Sequence, residues 1–330
     1  MNYLHKFHEQ LLLIVYRYSP KRGYYVWGAY IKKQLMGNSV CFRKIRKIGV
    51  TILFLVLFFV FYSCFSYRSV KYFPIEINYQ KKWGQGMAIH GQYVFLLTNT
   101  GLCRIYDMRK GGFAGSLVLA SAHAKNHANN ACFGVEYSKD NNKFPALYVS
   151  ECEAPYRCYV ENITEYESRL IQIIQFRIGN KPQAVHDWIV DRETNHIYAI
   201  TQLYPFNKER NGFATQIVKF GLPSIDTQEV ILSDVDIEDS FEVFFPHILQ
   251  GGVIHNHALY LPSGASADSQ VQYGKEKAIV IIDLKEKGIK RIIDVQNILN
   301  NEPEGAAFWG KFLMVSCAPK GLYQFFLKDE

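Results

Sequence analysis

The chain has 330 residues, with 37 Lys and Arg against 30 Asp and Glu and a formal net charge of +7. Residues 1–47 hold ten of the basic residues (Lys6, Arg17, Lys21, Arg22, Lys32, Lys33, Arg43, Lys44, Arg46 and Lys47) against the single acid Glu9, leaving 27 basic and 29 acidic residues for the rest. The bulk of the chain is therefore nearly neutral, which excludes the broad basic surface that a nucleic-acid partner requires.

In chain order, residues 1–47 read as a basic cytoplasmic or non-native N-terminal segment. The stretch Tyr18–Trp27, basic and aromatic together, has the composition of a membrane-surface segment. Directly after Arg43-Lys44-Ile45-Arg46-Lys47 comes the uncharged run Ile48–Tyr62, rich in Leu, Phe and Val. Residues 48–64 are thus expected to be a signal peptide or a transmembrane anchor, since a run of roughly 17 apolar residues lies between the usual lengths of the two. Either way the basic cluster stays in the cytoplasm and residues 65–330 cross to the outside of the cell envelope. The run ends in Ser63-Cys64, which resembles a bacterial lipoprotein cleavage site, although Phe61 and Tyr62 are bulkier than that pattern prefers. Lipid on Cys64 is the expectation if the match holds, with Met36 as the start, because Met36–Cys64 alone has the layout of a signal peptide; an uncleaved anchor is the alternative.

Beyond Cys64 no long stretch has helical spacing, and short β-branched and aromatic runs bounded by Gly, Asn, Asp and Pro recur throughout. Residues 72–79 alternate apolar and polar. Gly86–Ile89, Tyr93–Leu97 and Leu102–Asp107 form a strand–turn–strand–turn–strand unit. Looser copies follow, Cys132–Tyr137 with Ala146–Ser150 and Leu170–Phe176, then Ala184–Val190 with His196–Gln202 and Thr215–Phe220. Gly252–Ile254, Ala258–Leu261 and Ala278–Asp283 make the next copy, and Gly305–Phe308, Phe312–Ser316 and Gly321–Leu327 the last. Such a repeat predicts an all-β fold, a β-propeller of five blades in preference to six, over residues 65–330, with residues 72–79 supplying the outer strand that the last unit lacks. A pair of β-sandwiches is the alternative.

Seven cysteines are too few for a disulfide scaffold in a domain of this size. Cys152 and Cys158 bracket a five-residue loop and are expected to form one disulfide in an oxidising compartment.

Polar residues just before each inner strand point to a shared channel mouth. They are Gln85; His127, Asn129 and Asn130; Gln183 and His186; His247 and Gln250; and Glu302 and Glu304. Amides and imidazoles in a ring suit a neutral polyhydroxyl ligand such as a glycan. Glu304 and His127 are the candidate catalytic pair, because a carboxyl and an imidazole in one channel can perform acid–base chemistry, with Glu302, Glu136 and Asp187 as companion acids. Exposed Tyr156, Tyr159, Tyr204 and Trp309 are candidates for stacking on a sugar or a protein partner. His255-Asn256-His257 reads as a hairpin turn, Ser121–Asn126 as an inter-blade loop and Asp234–Asp239 as a solvated linker. No metal site or cofactor is expected, nor is there a nucleophile elbow, a phosphate-binding loop or a dinucleotide fingerprint.

As a whole, the lipoprotein-like start followed by blade units resembles the surface β-propeller lipoproteins of Gram-negative, gut-type bacteria. Gly84-Gln85-Gly86 and Pro303-Glu304-Gly305 are also similar to blade starts of bacterial glutaminyl cyclases, a likeness confined to how a blade begins. Because no strong catalytic constellation stands in the sequence, the expectation is a membrane-tethered extracytoplasmic propeller that binds a glycan or protein without catalysis; the alternative is a carbohydrate- or peptide-acting hydrolase or lyase with its site in the channel.

Overall fold

The computed structural model describes residues 70–327, apart from Asn126, Asn141, Asn142 and Glu165. The basic segment, the apolar run and Cys64 lie outside the described residues. Strand β1 (Val70–Glu76) opens the described region. Blade 1 follows as β2 (Gly84–His90), β3 (Tyr93–Thr98), β4 (Leu102–Asp107) and β5 (Gly112–Val118). Blade 2 contains β6 (Ala128–Phe133), β7 (Leu147–Glu151), β8 (Cys158–Ile163) and β9 (Ser168–Ile178), with the short β10 (Lys181–Pro182) at its edge. Blade 3 is β11 (Asp187–Asp191), β12 (His196–Asn207), β13 (Gly212–Gly221) and, after an excursion, β15 (Ile237–Phe245). On that excursion β14 (Glu229–Leu232) reaches back to pair in parallel with β9. Blade 4 is β16 (Val253–His255), β17 (Ala258–Ser263), β18 (Ala278–Asp283) and β19 (Gly288–Asp294). Blade 5 is β20 (Glu302–Trp309), β21 (Phe312–Ala318) and β22 (Lys320–Phe326), completed by β1.

The five-blade reading therefore stands, and so does its closure. β1 pairs antiparallel with β22, Val70 opposite Phe325, two residues earlier in the chain than the alternation over 72–79 suggests. Joining the first strand to the last blade leaves no gap in the ring at which blades could peel apart.

Strands in the middle of each blade read as continuous apolar runs because both faces of a blade are covered by its neighbours. Val94, Phe95, Leu96 and Leu97 are all at most 2% exposed. Five apolar interfaces result, one between each pair of adjacent blades. Phe95 and Leu97 meet Phe133 and Val149 between blades 1 and 2. Tyr148 meets Trp188 between 2 and 3, and Ile189 meets Leu259 between 3 and 4. Ile279 meets Val315 between 4 and 5, and Met314 meets Met87 between 5 and 1. Asn256 and His257 take φ of 50° and 58°, the left-handed pair that a two-residue hairpin turn needs, so His255-Asn256-His257 is the turn it was expected to be.

Blade 2 departs from the expectation. Its inner strand is Ala128–Phe133, not Cys132–Tyr137, and Leu170–Phe176 belongs to the fourth strand rather than the third. The third strand is β8, which carries the polar Glu161 and Asn162 at buried positions and so shows no apolar alternation. With β8 in place the expected disulfide fails: Cys152 and Cys158 are both free, as are Cys103, Cys132 and Cys317. Cys158 lies opposite Ser150 on β7, so Cys152 is two residues further along. On a regular ladder that diagonal spans about 7–8 Å, beyond the roughly 4.4–6.8 Å between Cα atoms that a disulfide bridges. Alkylation of the full chain unfolded in urea without reductant is expected to label Cys152 and Cys158 separately; a cross-linked peptide joining them would contradict the arrangement.

Asp234–Asp239 is likewise not a linker. Asp234–Asp236 form a 3-10 turn and Ile237 begins β15. Its acids are committed locally: Asp236 accepts from the Ser233 amide and hydroxyl, Glu238 faces His196 and Lys219, and Asp239 pairs with Lys287 at 2.7 Å.

Candidate functional site

The inner strands all begin at one end of the channel, and there the polar residues form a closed girdle of inter-blade hydrogen bonds. Between blades 1 and 2, His127 Nε2 donates to Gln85 Oε1 at 3.3 Å. Between 2 and 3, Asn129 Nδ2 donates to Asp187 Oδ1 at 2.9 Å. Between 3 and 4, the Gln202 side chain donates to the His247 carbonyl at 3.0 Å and accepts from the Leu249 amide at 3.0 Å. Between 4 and 5, Gln250 Nε2 donates to Glu302 Oε1 at 3.1 Å. The circle closes between 5 and 1, where Trp83 Nε1 donates to Glu304 Oε1 at 2.7 Å.

The girdle is largely sealed. Gln85, Asn129 and Gln250 are 7–8% exposed and Asp187 and Glu304 at most 1%. What reaches solvent is its rim: the Trp83 ring, the His127 imidazole with Glu153 Oε1 at 3.6 Å from its Nδ1, and Tyr204, whose hydroxyl donates to Gln202 Oε1.

Inward from the girdle the channel is closed. Asn130, wholly buried, reaches from blade 2 across the axis and donates from Nδ2 to the Gly252 carbonyl of blade 4 at 3.1 Å. Gly251 packs against the same amide so closely that a Cβ there would stand 2.8 Å from Asn130 Oδ1 and 2.8 Å from the Glu304 carbonyl.

Burial sets the electrostatics. The Asp187 carboxyl is pushed up to about 7, with the Asn129 hydrogen bond only partly opposing the loss of water. Glu304 is held well above the usual carboxylate range by burial and then by the neighbouring Glu302 charge, against the pull of the Trp83 indole. Glu302 is raised by burial as well. At neutral pH Asp187 is therefore in part a neutral hydrogen-bonding group, and burial favours the neutral form of Glu302 and Glu304 as well. Burial also lowers His186 and His247 and keeps both imidazoles neutral. His186 Nδ1 accepts from the Gln202 amide, placing its proton on Nε2, whereas His247 Nδ1 donates to the Glu276 carbonyl and leaves Nε2 as an acceptor. Cys152 beside Asp187 is an inert thiol, its pKa raised by burial and by that carboxylate.

Of the residues expected at this mouth, Gln85, His127, Asn129, Gln250, Glu302 and Glu304 enter the girdle. His186 and His247 stand behind it on Gln202 and Glu276. Asn130 is the plug, and Gln183 folds back to donate to the Lys181 carbonyl. Glu304 and His127 have different partners, Trp83 for one and Gln85 with Glu153 for the other. Glu136 binds the Ser224–Ile225 turn, away from the girdle. Tyr159 is a core residue with its hydroxyl on Glu151, Trp309 ends β20 at the other end of the inner strand, and Tyr204 abuts the girdle. Sequence reasoning passed over Trp83 and Gln202. Trp83 had a usable signal, one large aromatic directly before the Gly84-Gln85-Gly86 blade start; Gln202 sits at a mid-strand position with no local mark.

No family model matches the chain, and no curated protein matches it. Among solved structures it is similar to hydrazine synthase of Kuenenia stuttgartiensis, at 10% identity over 71% of this chain and 61% of that one with a TM-score of 0.36. It is also similar to the WD40 β-propeller domain of Doa1, at 10% identity over 74% and 63% with a TM-score of 0.38. A third similar structure is Myxococcus xanthus glutaminyl cyclase, at 12% identity over 78% and 96% with a TM-score of 0.43. The chain spans less than two thirds of the first two. The architecture rests on the strand pairing itself: this is an all-β, five-bladed propeller whose two ends are separated by a buried amide plug.

Proposed function

We propose that this chain is a membrane-tethered propeller of the cell envelope that binds a neutral polyhydroxyl ligand, such as a glycan, at its polar mouth without catalysis. The observation that carries the reading is the pairing of a fixed polar floor with exposed aromatic rings. The girdle holds its amides and carboxyls in place, while Trp83 is 40% and Tyr204 56% exposed beside it. A sugar ring stacks its C–H face on such aromatics and hydrogen-bonds through its hydroxyls. The tether rests on the uncharged run Ile48–Tyr62 behind a basic cluster; among the described residues no helix is long and apolar enough to cross a membrane. The test is glycan-array binding of the full chain in nanodiscs, followed by titration of the best hit. Trp83→Ala and His127→Ala are each expected to weaken binding about tenfold or more, and unchanged affinity in both would refute the placement.

A second reading, a hydrolase or lyase, is favoured by the two electrostatically coupled carboxyls Glu302 and Glu304, both shifted upward as a proton donor requires. Turnover of the bound glycan that vanishes in Glu304→Gln would replace the first reading with this one.

A further inference from the structure

The plug of Asn130 and Gly251 leaves a second chamber at the opposite end of the channel, where the inner strands finish. It is a cavity of about 310 Å³, to which every blade contributes: Ile89, Phe133, Val190, Ile254 and Phe308 line it, one from each inner strand. Its volume is at the small end of the roughly 300–1,000 Å³ of ligand pockets. Alanines 88, 131, 306 and 307 occupy four further inner-strand positions of the lining, and their short side chains leave the space open.

The polar residues of this chamber are few and unequally engaged. Glu193 is held by the Asn256 amide at 3.1 Å and by His255 at 3.6 Å. Arg192, the residue after β11, is exposed and makes no hydrogen bond or ion pair to another described residue. It lines the chamber together with Glu193 and His255. An apolar cavity with one exposed, forked cation at its mouth is complementary to a ligand with an apolar body and a carboxylate end. An ammonium ligand is disfavoured by Arg192 and finds Glu193 already taken.

We propose that this chamber binds a small amphipathic monocarboxylate, its aliphatic tail among the inner-strand side chains and its carboxylate on Arg192. The site is independent of the polar mouth, because the plug lies between them.

The test uses the full chain in nanodiscs, with empty nanodiscs as reference, titrated with butanoate, hexanoate and 1-hexanol and followed by saturation-transfer NMR. Hexanoate is expected to bind more tightly than butanoate, each methylene adding about fourfold. Arg192→Gln is expected to weaken hexanoate about tenfold while leaving 1-hexanol unchanged, as loss of a charge-assisted pair alone should. Ala307→Phe, which fills the chamber, is expected to abolish both, and His127→Ala to alter neither. Should Ala307→Phe fail to fold, the exposed Arg192 site decides. Absence of hexanoate binding to the wild-type protein, or equal hexanoate affinity in wild type and Arg192→Gln, overturns the proposal.

Discussion

Replacing Asp187 by asparagine is expected to stabilise the protein at pH 8 and to leave it nearly unchanged near pH 4. The Asp187 carboxyl is fully buried, its Oδ2 has no hydrogen-bond partner, and burial raises it from an ordinary 3.8 to about 7. Its folded-state pKa lies above its unfolded one, so its contribution to stability is fully present below about pH 4 and is lost as pH rises through 7. A shift of that size corresponds to on the order of 4 kcal/mol once the pH is above both values. Glu302 and Glu304, raised by the same burial, act with the same sign. Asp236, Asp239 and Asp283 are lowered by hydrogen bonds at the surface, so their contribution is lost only as the pH falls below the usual carboxylate range and does not mask the alkaline side. An asparagine keeps the shape and the polarity but cannot ionise. Urea unfolding of both proteins between pH 4 and pH 9 is the measurement; parallel stability curves would show that Asp187 does not carry the pH dependence.

Gly86→Ala is expected to destabilise the domain by about 3 kcal/mol, the upper part of the range for overpacking a core. A Cβ on Gly86 would stand 2.8 Å from the Asn130 carbonyl carbon, 2.9 Å from the Ala131 nitrogen and 3.0 Å from the Asn130 Cα. All three are backbone atoms of the neighbouring inner strand, so no side chain can rotate out of the way and blades 1 and 2 must separate. That separation pulls on Asn130, whose amide closes the channel, and on the Gln85–His127 link beside it. Gly91→Ala is the control: Gly91 has open space around it and a φ of +59°, so the cost there is backbone strain alone, about 1 kcal/mol. Equal losses at the two positions, measured by thermal unfolding, would mean that the inner strands do not approach as closely as described.

Much of the fold was legible in the sequence, for a local reason. Short apolar runs, turns rich in Gly and Asn, and a spare alternating segment at residues 72–79 are properties of neighbouring residues, and a propeller repeats the first two blade by blade. The misreadings fall where a strand lacks that local mark. β8 carries buried Glu161 and Asn162, and Glu161 is there because it accepts from the Ala120 and Ser121 amides of the preceding inter-blade loop, a contact across some forty residues. With β8 unseen, Cys152 and Cys158 looked like the ends of a closed loop.

The candidate site was legible as a set of positions but not as a set of partnerships. Polar residues before each inner strand do gather at one end, as Gln85, Asn129, Gln250 and Glu304 show. Their roles depend on what the ring brings beside them: Trp83 reaches Glu304 over 221 residues of chain, and Asn130 crosses from blade 2 to blade 4.

By itself, then, the sequence determined the all-β blade repeat, the spare strand ahead of the first blade and the apolar run behind its basic cluster, because each follows from residues close together in the chain. Tertiary structure alone decided that the channel is plugged, that one end is a sealed polar girdle with an aromatic rim, and that the other is an apolar chamber under Arg192. Those features arise only when five inner strands meet around one axis, at distances fixed by glycines 86, 251 and 305, and no periodicity along the chain encodes which side chains face each other there.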